Sequence, residues 1–459
     1  MGGHGRHGGR TGGLWAKGPV ELAGEHQRGF RTRAMTLPGA PYLARESGEL
    51  RLEGHALADL AARFGTPLYV YSRAAMRDAF QAYERALQGR RHLVCYAMKA
   101  NSNLAVLRLM AKEGSGVDIV SGGELYRALK AGVPPTKIVF AGVGKKSEEI
   151  AEALKADILM FNVESSAELQ AINEVAASMG VKARVALRIN PDIDPKTHPY
   201  ISTGLKKSKF GIAADRAIEE FKAAAAFSHI KVVGLHAHIG SQLTQVTPFV
   251  ESLKKVLALV QALAEQGIPL RYINIGGGLG ITYSDETPPQ PKDLAEAISP
   301  LVRDLKCVLI MEPGRVIVGN AGVLLTKVLY AKDGEAKRFL IVDAAMNDLI
   351  RPSLYDAYHD IRPVYEAAAH GEKKTVDVVG PVCESGDFLA KDRVMPALNA
   401  GELMAVMSAG AYGFVMSSNY NSRPRVPEVL VHEGQIHVIR SRESYEDLVR
   451  GEEIPEFLA

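Results

Sequence analysis

Three cysteines in 459 residues cannot build a disulfide framework. A reducing cytoplasm is the expected compartment. No apolar run approaches the roughly 18 residues that a membrane span needs, and no apolar core of a secretory signal precedes the first strand pattern. There is no H-E-x-x-H and no paired C-x-x-C, so no metal is expected. Charge of either sign is nearly absent in the balance, with Lys+Arg 55 against Asp+Glu 52. Even that +3 is unevenly placed. Arg6, Arg10, Lys17, Arg28, Arg31 and Arg33 against Glu21 and Glu25 put +4 into residues 1–35, and the remainder sums to −1. A nucleic-acid binder carries its basic excess on the folded body, so that class is excluded.

What is present is an ordinary globular mix, 47% hydrophobic and 23% charged. The length predicts two or three domains, or one large barrel plus a partner domain. Residues 1–35 hold ten of the 44 glycines and no periodic pattern. They read as a disordered extension, with Met35 a candidate alternative start. Residues 36–62 read as a segment that joins a β domain, 63–319 as a barrel and 320–459 as the β domain. Eight apolar runs carry the barrel reading, at 93–98, 116–120, 137–142, 157–162, 184–190, 232–238, 272–276 and 308–312. Each suits a strand buried on both faces. Amphipathic stretches at 103–112, 122–131, 165–179 and 249–266 separate them. Ser121-x-x-Glu124 and Ser165-x-x-Glu168 have capping-box spacing. Eight strands alternating with helices is the count of a (β/α)8 barrel; an open doubly wound sheet is the alternative. Beyond residue 320, runs at 323–330, 337–343, 375–379, 402–407, 426–432 and 435–440 predict a mostly antiparallel β domain. Residues 48–54 are a candidate extra strand for it.

Functional residues of such a barrel sit just past the C-terminal ends of its strands. Lys99 follows the first run. Asp118 lies in the second, with Ser121-Gly122-Gly123 after it. His236 and His238 end the sixth, with Gly240-Ser241 beyond. Gly276-Gly277-Gly278 ends the seventh, and Glu312-Pro313-Gly314-Arg315 the eighth. Five polar clusters at one rim point to a single site. Partial desolvation of Lys99 would favour a neutral amine able to form a Schiff base; a solvated strand-end lysine is the plainer alternative. The glycine run lacks G-x-G-x-x-G spacing, so it is not a dinucleotide fingerprint. Its N–H groups suit a phosphate, with the Ser241 hydroxyl beside them, or simply form a tight turn. The flat ring of His238 can stack on a cofactor ring, or be a buried structural histidine. Glu312 can hold a ring nitrogen protonated, and Arg315 can pair with phosphate or carboxylate; a Pro-Gly turn with a solvated ion pair is the alternative. Cys95 and Cys307 lie in apolar strands and read as core. Cys383, beside Glu384, is a candidate proton donor or nucleophile. Arg351 and Tyr355 offer another anion contact, and Tyr412 sits on a glycine turn.

Together these residues resemble the fold-III pyridoxal-phosphate (PLP) decarboxylases over about residues 40–450. The motifs are YAMKAN (96–101), VDIVSGGEL (117–125), SKFGI (208–212), HAHIGSQ (236–242), GGGLG (276–280), EPGR (312–315), MNDLIRPSLY (346–355), CESGD (383–387) and AYGFVMSSNYN (411–421). They occur in the family's order, with no departure at a functional position. The resemblance implies an alanine-racemase-like barrel with a C-terminal β domain. Within the family it points to the branch that converts meso-2,6-diaminopimelate to L-lysine and CO2, the last step of lysine biosynthesis by that route. It implies that Lys99 is the Schiff-base lysine and that His238 stacks on the PLP ring. Ser241, Gly277, Gly278 and the turn Glu312-Pro313-Gly314-Arg315 become the phosphate cradle, with Tyr412 assisting. Glu312 becomes the partner of the pyridine nitrogen. Arg315, Arg351, Tyr355, Glu384 and Tyr412 become substrate contacts, and Cys383 the acid that reprotonates the α-carbon. In the family Cys383 and Glu384 come from the neighbouring subunit, so a homodimer with composite sites is expected. An ornithine or arginine decarboxylase would need an acidic residue where Arg351 stands. Alanine racemase is disfavoured by Glu312. A PLP-homeostasis protein lacks the β domain, and a non-enzymatic scaffold needs no such cluster.

Overall fold

The computed structural model describes Met1 and residues 36–37, 40–193, 209–335 and 337–458. The rest of the expected glycine-rich extension, and Ser208 of the SKFGI motif, lie outside the described residues. Every expected barrel run forms a strand. These are β1 (His92–Ala97), β2 (Gly116–Ile119), β3 (Ile138–Phe140), β4 (Met160–Val163), β5 (Ala183–Asn190), β6 (Ile230–His236), β7 (Tyr272–Asn274) and β8 (Val308–Met311). Each pairs in parallel with the next, and β8 pairs with β1. That last pairing closes the barrel and excludes the open sheet.

Inward-facing residues alternate along each strand. Cys95, Val139, Met160, Ala186, Tyr272 and Ile310 meet in one apolar cluster inside the barrel. Two residues further along the same strands stand Ala97, Ala141, Asn162, Arg188, Asn274 and Glu312. On β2 and β6 the corresponding layer holds Asp118 and His236, both buried. The interior therefore turns from apolar to polar toward the C-terminal rim. The helices begin where their caps predict. Ser121 Oγ accepts from Glu124 N, and Ser165 Oγ from Glu168 N, both at 3.2 Å. The two glutamates reach back one residue further than a capping box requires, to the N–H groups of Val120 and Glu164.

The second sheet runs in the order 388–396, 373–379, 338–342, 322–333, 68–72, 428–432, 435–440, with 403–406 also paired to 322–333 and 361–363 paired to 403–406. Two of its pairings are parallel, 338–342 with 373–379 and 68–72 with 428–432. The expected barrel boundary at residue 63 needs correction. Leu68–Ser72 lies within the second sheet, between Gly322–Asp333 and Glu428–His432. Its alternate side chains enter two different cores, Tyr69 and Tyr71 on one face, Leu68 and Val70 on the other. That two-sided burial is why the segment cannot be an outer connection of the barrel. The expected strand at 48–54 forms, but elsewhere. Glu49–Leu52 pairs with Ala40–Glu46 and His55–Ala56 in a small antiparallel sheet. It meets the β domain through the Leu50 N–H to Val364 O bond and a bridge between Glu49 and Tyr365. Strands Ile361–Pro363 and Phe388–Pro396 were not expected. In the latter, Lys391-Asp392-Arg393 interrupts the apolar pattern, Asp392 has φ +47°, and the register shifts beside it.

One carboxylate ties this sheet to the segment carrying Lys99. The fully buried Glu428 accepts from Tyr71 Oη at 2.7 Å, Asn103 Nδ2 at 2.9 Å and Arg440 Nε at 2.6 Å. Asn103 also caps helix Leu104–Lys112, just after Lys99. Glu428→Ala should therefore lower stability by about 3–5 kcal/mol, since it strands several buried polar partners at once. Thermal or urea unfolding measures this; a loss below about 1 kcal/mol would show the network to be dispensable.

Candidate active site

The polar rim of the barrel and the β domain enclose a cavity of ≈570 Å³, within the usual range for small-molecule sites. Lys99, His238, Ser241, Gly277, Gly278, Glu312, Gly314, Arg315, Arg351, Tyr355 and Tyr412 all line it. Pro313 stands between two of them, and its carbonyl accepts from Ala97 N at 3.0 Å, extending the β8–β1 pairing. Cys383 and Glu384 do not line it; both are exposed on this chain.

Lys99 sits in the tight turn Met98–Ala100 that follows β1. Its Nζ is 3.1 Å from Asp118 Oδ2, one strand over. The expected neutral amine is not what this geometry gives. Burial pulls the amine's pKa down, but Asp118, Tyr412 and Glu312 more than offset it and leave it raised. The neighbouring Asp118 carboxylate holds the amine protonated. Asp118 in turn is raised by burial and by Glu312, against the pull of Lys99.

Glu312 lies at the barrel axis, almost wholly buried. Asn162 Nδ2 on β4 and Asn274 Nδ2 on β7 both donate to its Oε1. His236 Nε2 on β6 lies 3.3 Å from Oε2. Burial alone would raise the carboxyl. His236, Lys99 and Asn274 outweigh it, and the group is held well below the usual carboxylate range. The pKa of His238 is lowered as well, far below the ordinary histidine value, by burial and then by the charges of Arg188 and Lys99. It presents a neutral ring. Gly276, at φ +68°, packs directly on it; a Cβ there would come within 2.6 Å of His238 Nδ1. A Cβ on Gly277 would meet Glu312 O at 2.1 Å. Close backbone approach thus requires glycine at both places.

The other side of the cavity is cationic. Arg315 Nε and Nη2 donate to Ser241 Oγ at 3.2 and 2.9 Å, and Nη1 donates to Tyr283 Oη at 2.6 Å. Arg351 is buried, and its Nε has no hydrogen-bond partner. Among the described residues neither guanidinium ion-pairs with a carboxylate, whereas Arg188 does, with Glu164 at 2.7 Å. Tyr412, at φ +56°, donates its N–H to Ala100 O at 2.8 Å, and its ring lies 4.9 Å from Arg315 Cζ. Asn162, Asn274, Tyr283 and the Glu164–Arg188 pair were not singled out in the sequence. The period-two alternation of β4, β5 and β7 would have found all but Tyr283, which is a lone tyrosine in a loop.

An amine, a buried anion facing it, a neutral ring nearby and a guanidinium-held hydroxyl at a glycine loop fit a ligand bearing an aldehyde, a basic ring nitrogen and a phosphate. PLP is such a ligand, and the donor set suits it at each end. Residues 73–319 match the family described as pyridoxal-dependent decarboxylase, pyridoxal binding domain. That match begins at the residue following strand Leu68–Ser72, in keeping with the corrected boundary. The protein is a PLP-dependent barrel decarboxylase.

The relatives narrow the class. The chain is 52% identical over 410 residues to diaminopimelate decarboxylase of Aquifex aeolicus, covering 89% of this chain and 97% of that one. It is 54% identical over 406 residues to diaminopimelate decarboxylase of Pseudomonas aeruginosa, covering 88% and 97%. The crystal structure of diaminopimelate decarboxylase from Helicobacter pylori complexed with L-lysine superposes with a TM-score of 0.82 at 48% identity, covering 86% and 98%. The chain belongs to the diaminopimelate decarboxylase family.

One carboxyl beside the site gives a pH signature. Glu124 accepts from Val120 N at 2.7 Å, and burial pushes its pKa up to about 7. A raised carboxyl binds its proton more tightly in the folded state. Its stabilising contribution is complete below its ordinary value of 4.5 and disappears as pH rises through about 7. Glu124→Gln keeps an acceptor and removes the titration. The variant should therefore gain thermal stability relative to the parent between pH 5 and pH 8; a constant difference across that range would contradict the assignment.

Proposed function

We propose that this chain decarboxylates meso-2,6-diaminopimelate to L-lysine and CO2, as the closing step of lysine formation. The observation that carries the reading is the pair of buried guanidiniums, Arg315 and Arg351, without a carboxylate partner among the described residues. A dicarboxylic amino acid would supply the missing anion. A substrate with a distal amine and no carboxylate would leave these cations uncompensated, at about 3–5 kcal/mol. The relatives' shared naming supports the same choice over ornithine or arginine.

Bound PLP supplies the electron sink for the pair left behind when the α-carboxylate departs. The chain's own groups prepare and direct that event. Lys99 would hold the cofactor through its amine. Asp118, 3.1 Å away, orients that amine at the rim. Glu312 stays anionic and would keep the ring nitrogen protonated; an arginine in its place would hydrogen-bond without doing so. His238, its protonation suppressed, would pack its ring against the cofactor. Ser241, Gly277, Gly278, Pro313, Gly314 and Arg315, with Tyr412, hold the phosphate. Arg351, Tyr355, Tyr412 and the outer edge of Arg315 hold the substrate.

The acid comes from elsewhere in this reading. Cys383 is exposed, and its N–H donates to Asn421 Oδ1 at 2.8 Å. Together with Glu384 it would enter the cavity of a second copy, where the thiol protonates the α-carbon and Glu384 meets the substrate. The working unit is then a homodimer with shared sites. Free thiols at Cys95, Cys307 and Cys383 suit a reducing cytoplasm. Among the described residues no helix is long and apolar enough to cross a membrane.

The direct test is a product assay. Incubation with PLP and meso-diaminopimelate should release lysine and CO2, and ornithine, arginine and lysine should not be consumed; turnover of ornithine at a comparable rate would overturn the reading. Arg351→Ala should reduce kcat/KM by about 10²–10³-fold while PLP affinity changes little; equal losses in both would place Arg351 in the cofactor site. Lys99→Ala and Cys383→Ala should each be inactive. Mixed under subunit exchange they should recover part of the activity, because a mixed dimer keeps one intact site. No recovery despite demonstrated exchange would argue against sharing.

A further inference from the structure

Both guanidiniums lean on one aromatic ring. Tyr283 follows β7 in the loop beyond the glycine run and is 8% exposed. The Arg351 Cζ lies 4.9 Å from its ring centroid and the Arg315 Cζ 5.8 Å. Its hydroxyl also accepts the 2.6 Å bond from Arg315 Nη1. Behind it, His359 packs edge-on at 5.3 Å and 84°, with its Nδ1 2.8 Å from the Met407 carbonyl. Tyr283 is therefore locked from one side and shared by two cations on the other. Like charges this close and this buried repel. A π-face stabilises each of them without neutralising either, and so preserves their capacity for an incoming carboxylate. Arg315 divides its donors between two neighbours. Nε and Nη2 face Ser241, while Nη1 faces Tyr283.

We infer that Tyr283 is a positioning residue for substrate choice: it sets the spacing of Arg315 and Arg351 and thereby the recognition of the second carboxylate. The inference rests on the decarboxylase reading above and deepens it. It separates the Arg315 edge that serves the cofactor phosphate from the edge that serves the substrate.

The test uses the full-length, PLP-loaded protein and the variants Tyr283→Phe and Tyr283→Leu. The first removes the hydroxyl and keeps the ring; the second removes both. KM for meso-diaminopimelate should rise about 3- to 10-fold in Tyr283→Phe and by about 30- to 100-fold in Tyr283→Leu. In both variants kcat should stay within about threefold of the parent, and so should PLP affinity by absorbance titration. Inhibition by L-lysine, which keeps the distal carboxylate because only the reacting one is lost, should weaken in parallel with the rise in KM. Unchanged KM in both variants overturns the inference. So does unchanged lysine inhibition beside a raised KM, or a parallel loss of PLP affinity, which would mark a general collapse of the cavity. Should Tyr283→Leu fail to fold, Tyr283→Phe still decides through its KM. A parent protein that does not turn over meso-diaminopimelate would refute the functional reading itself; normal turnover with indifferent variants would refute only the role of Tyr283.

Discussion

A carboxylate kept ionised on the axis of a protein barrel is the constraint around which the rest is arranged. An isolated buried anion is very costly, and Glu312 is tolerable only because its surroundings are built for it. Asn162, Asn274 and His236 come from three different strands, and each occupies the inward position of the same layer. Lys99 contributes through its charge from a fourth strand end. The identity of one side chain thus dictates polar residues on several others, and the apolar layer beneath them supplies the rigidity that keeps the distances fixed. Removing any one of the donors would push the carboxyl toward its neutral form.

The cavity separates its charges. Carboxylates and the lysine amine gather at the barrel centre, while guanidiniums and tyrosines gather where the β domain covers the rim. The neutral imidazole of His238 lies among them, its protonation suppressed by burial and by the cations around it. This arrangement allows acid–base work at one end and anion recognition at the other without the two neutralising each other. The exposed Cys383 and Glu384 fit neither half on a single chain, which is why their proposed use requires a second one.

The barrel was legible because each strand is a short, doubly buried run, and because helix caps such as Ser121 and Ser165 mark the intervening starts. The rim clusters were legible because position after a strand end is itself a signal. Segments serving two layers were harder. Leu68–Ser72 reads as a generic apolar run, and nothing local distinguishes a strand that separates two cores from one that opens a barrel. Phe388–Pro396 was hidden by its central charges, which the bulge at Asp392 carries outward. Asp118 was seen but its effect on Lys99 was not, since their pairing is a matter of adjacent strands rather than of sequence spacing. Tyr283 gave no signal at all; its meaning comes entirely from the two arginines that converge on it, from residues 32 and 68 positions away.

The placement of Leu68–Ser72 also governs when the chain can finish folding. This strand emerges early in synthesis, yet its two neighbours in the sheet, 322–333 and 428–432, are made late. The barrel segments, complete by residue 311, can associate on the ribosome, while the early strand waits with unsatisfied edges. Only when residue 432 has cleared the exit tunnel does the last partner arrive. Chains cut short near their end would therefore hold a nearly whole barrel beside an open apolar sheet, a form suited to recognition by chaperones and proteases.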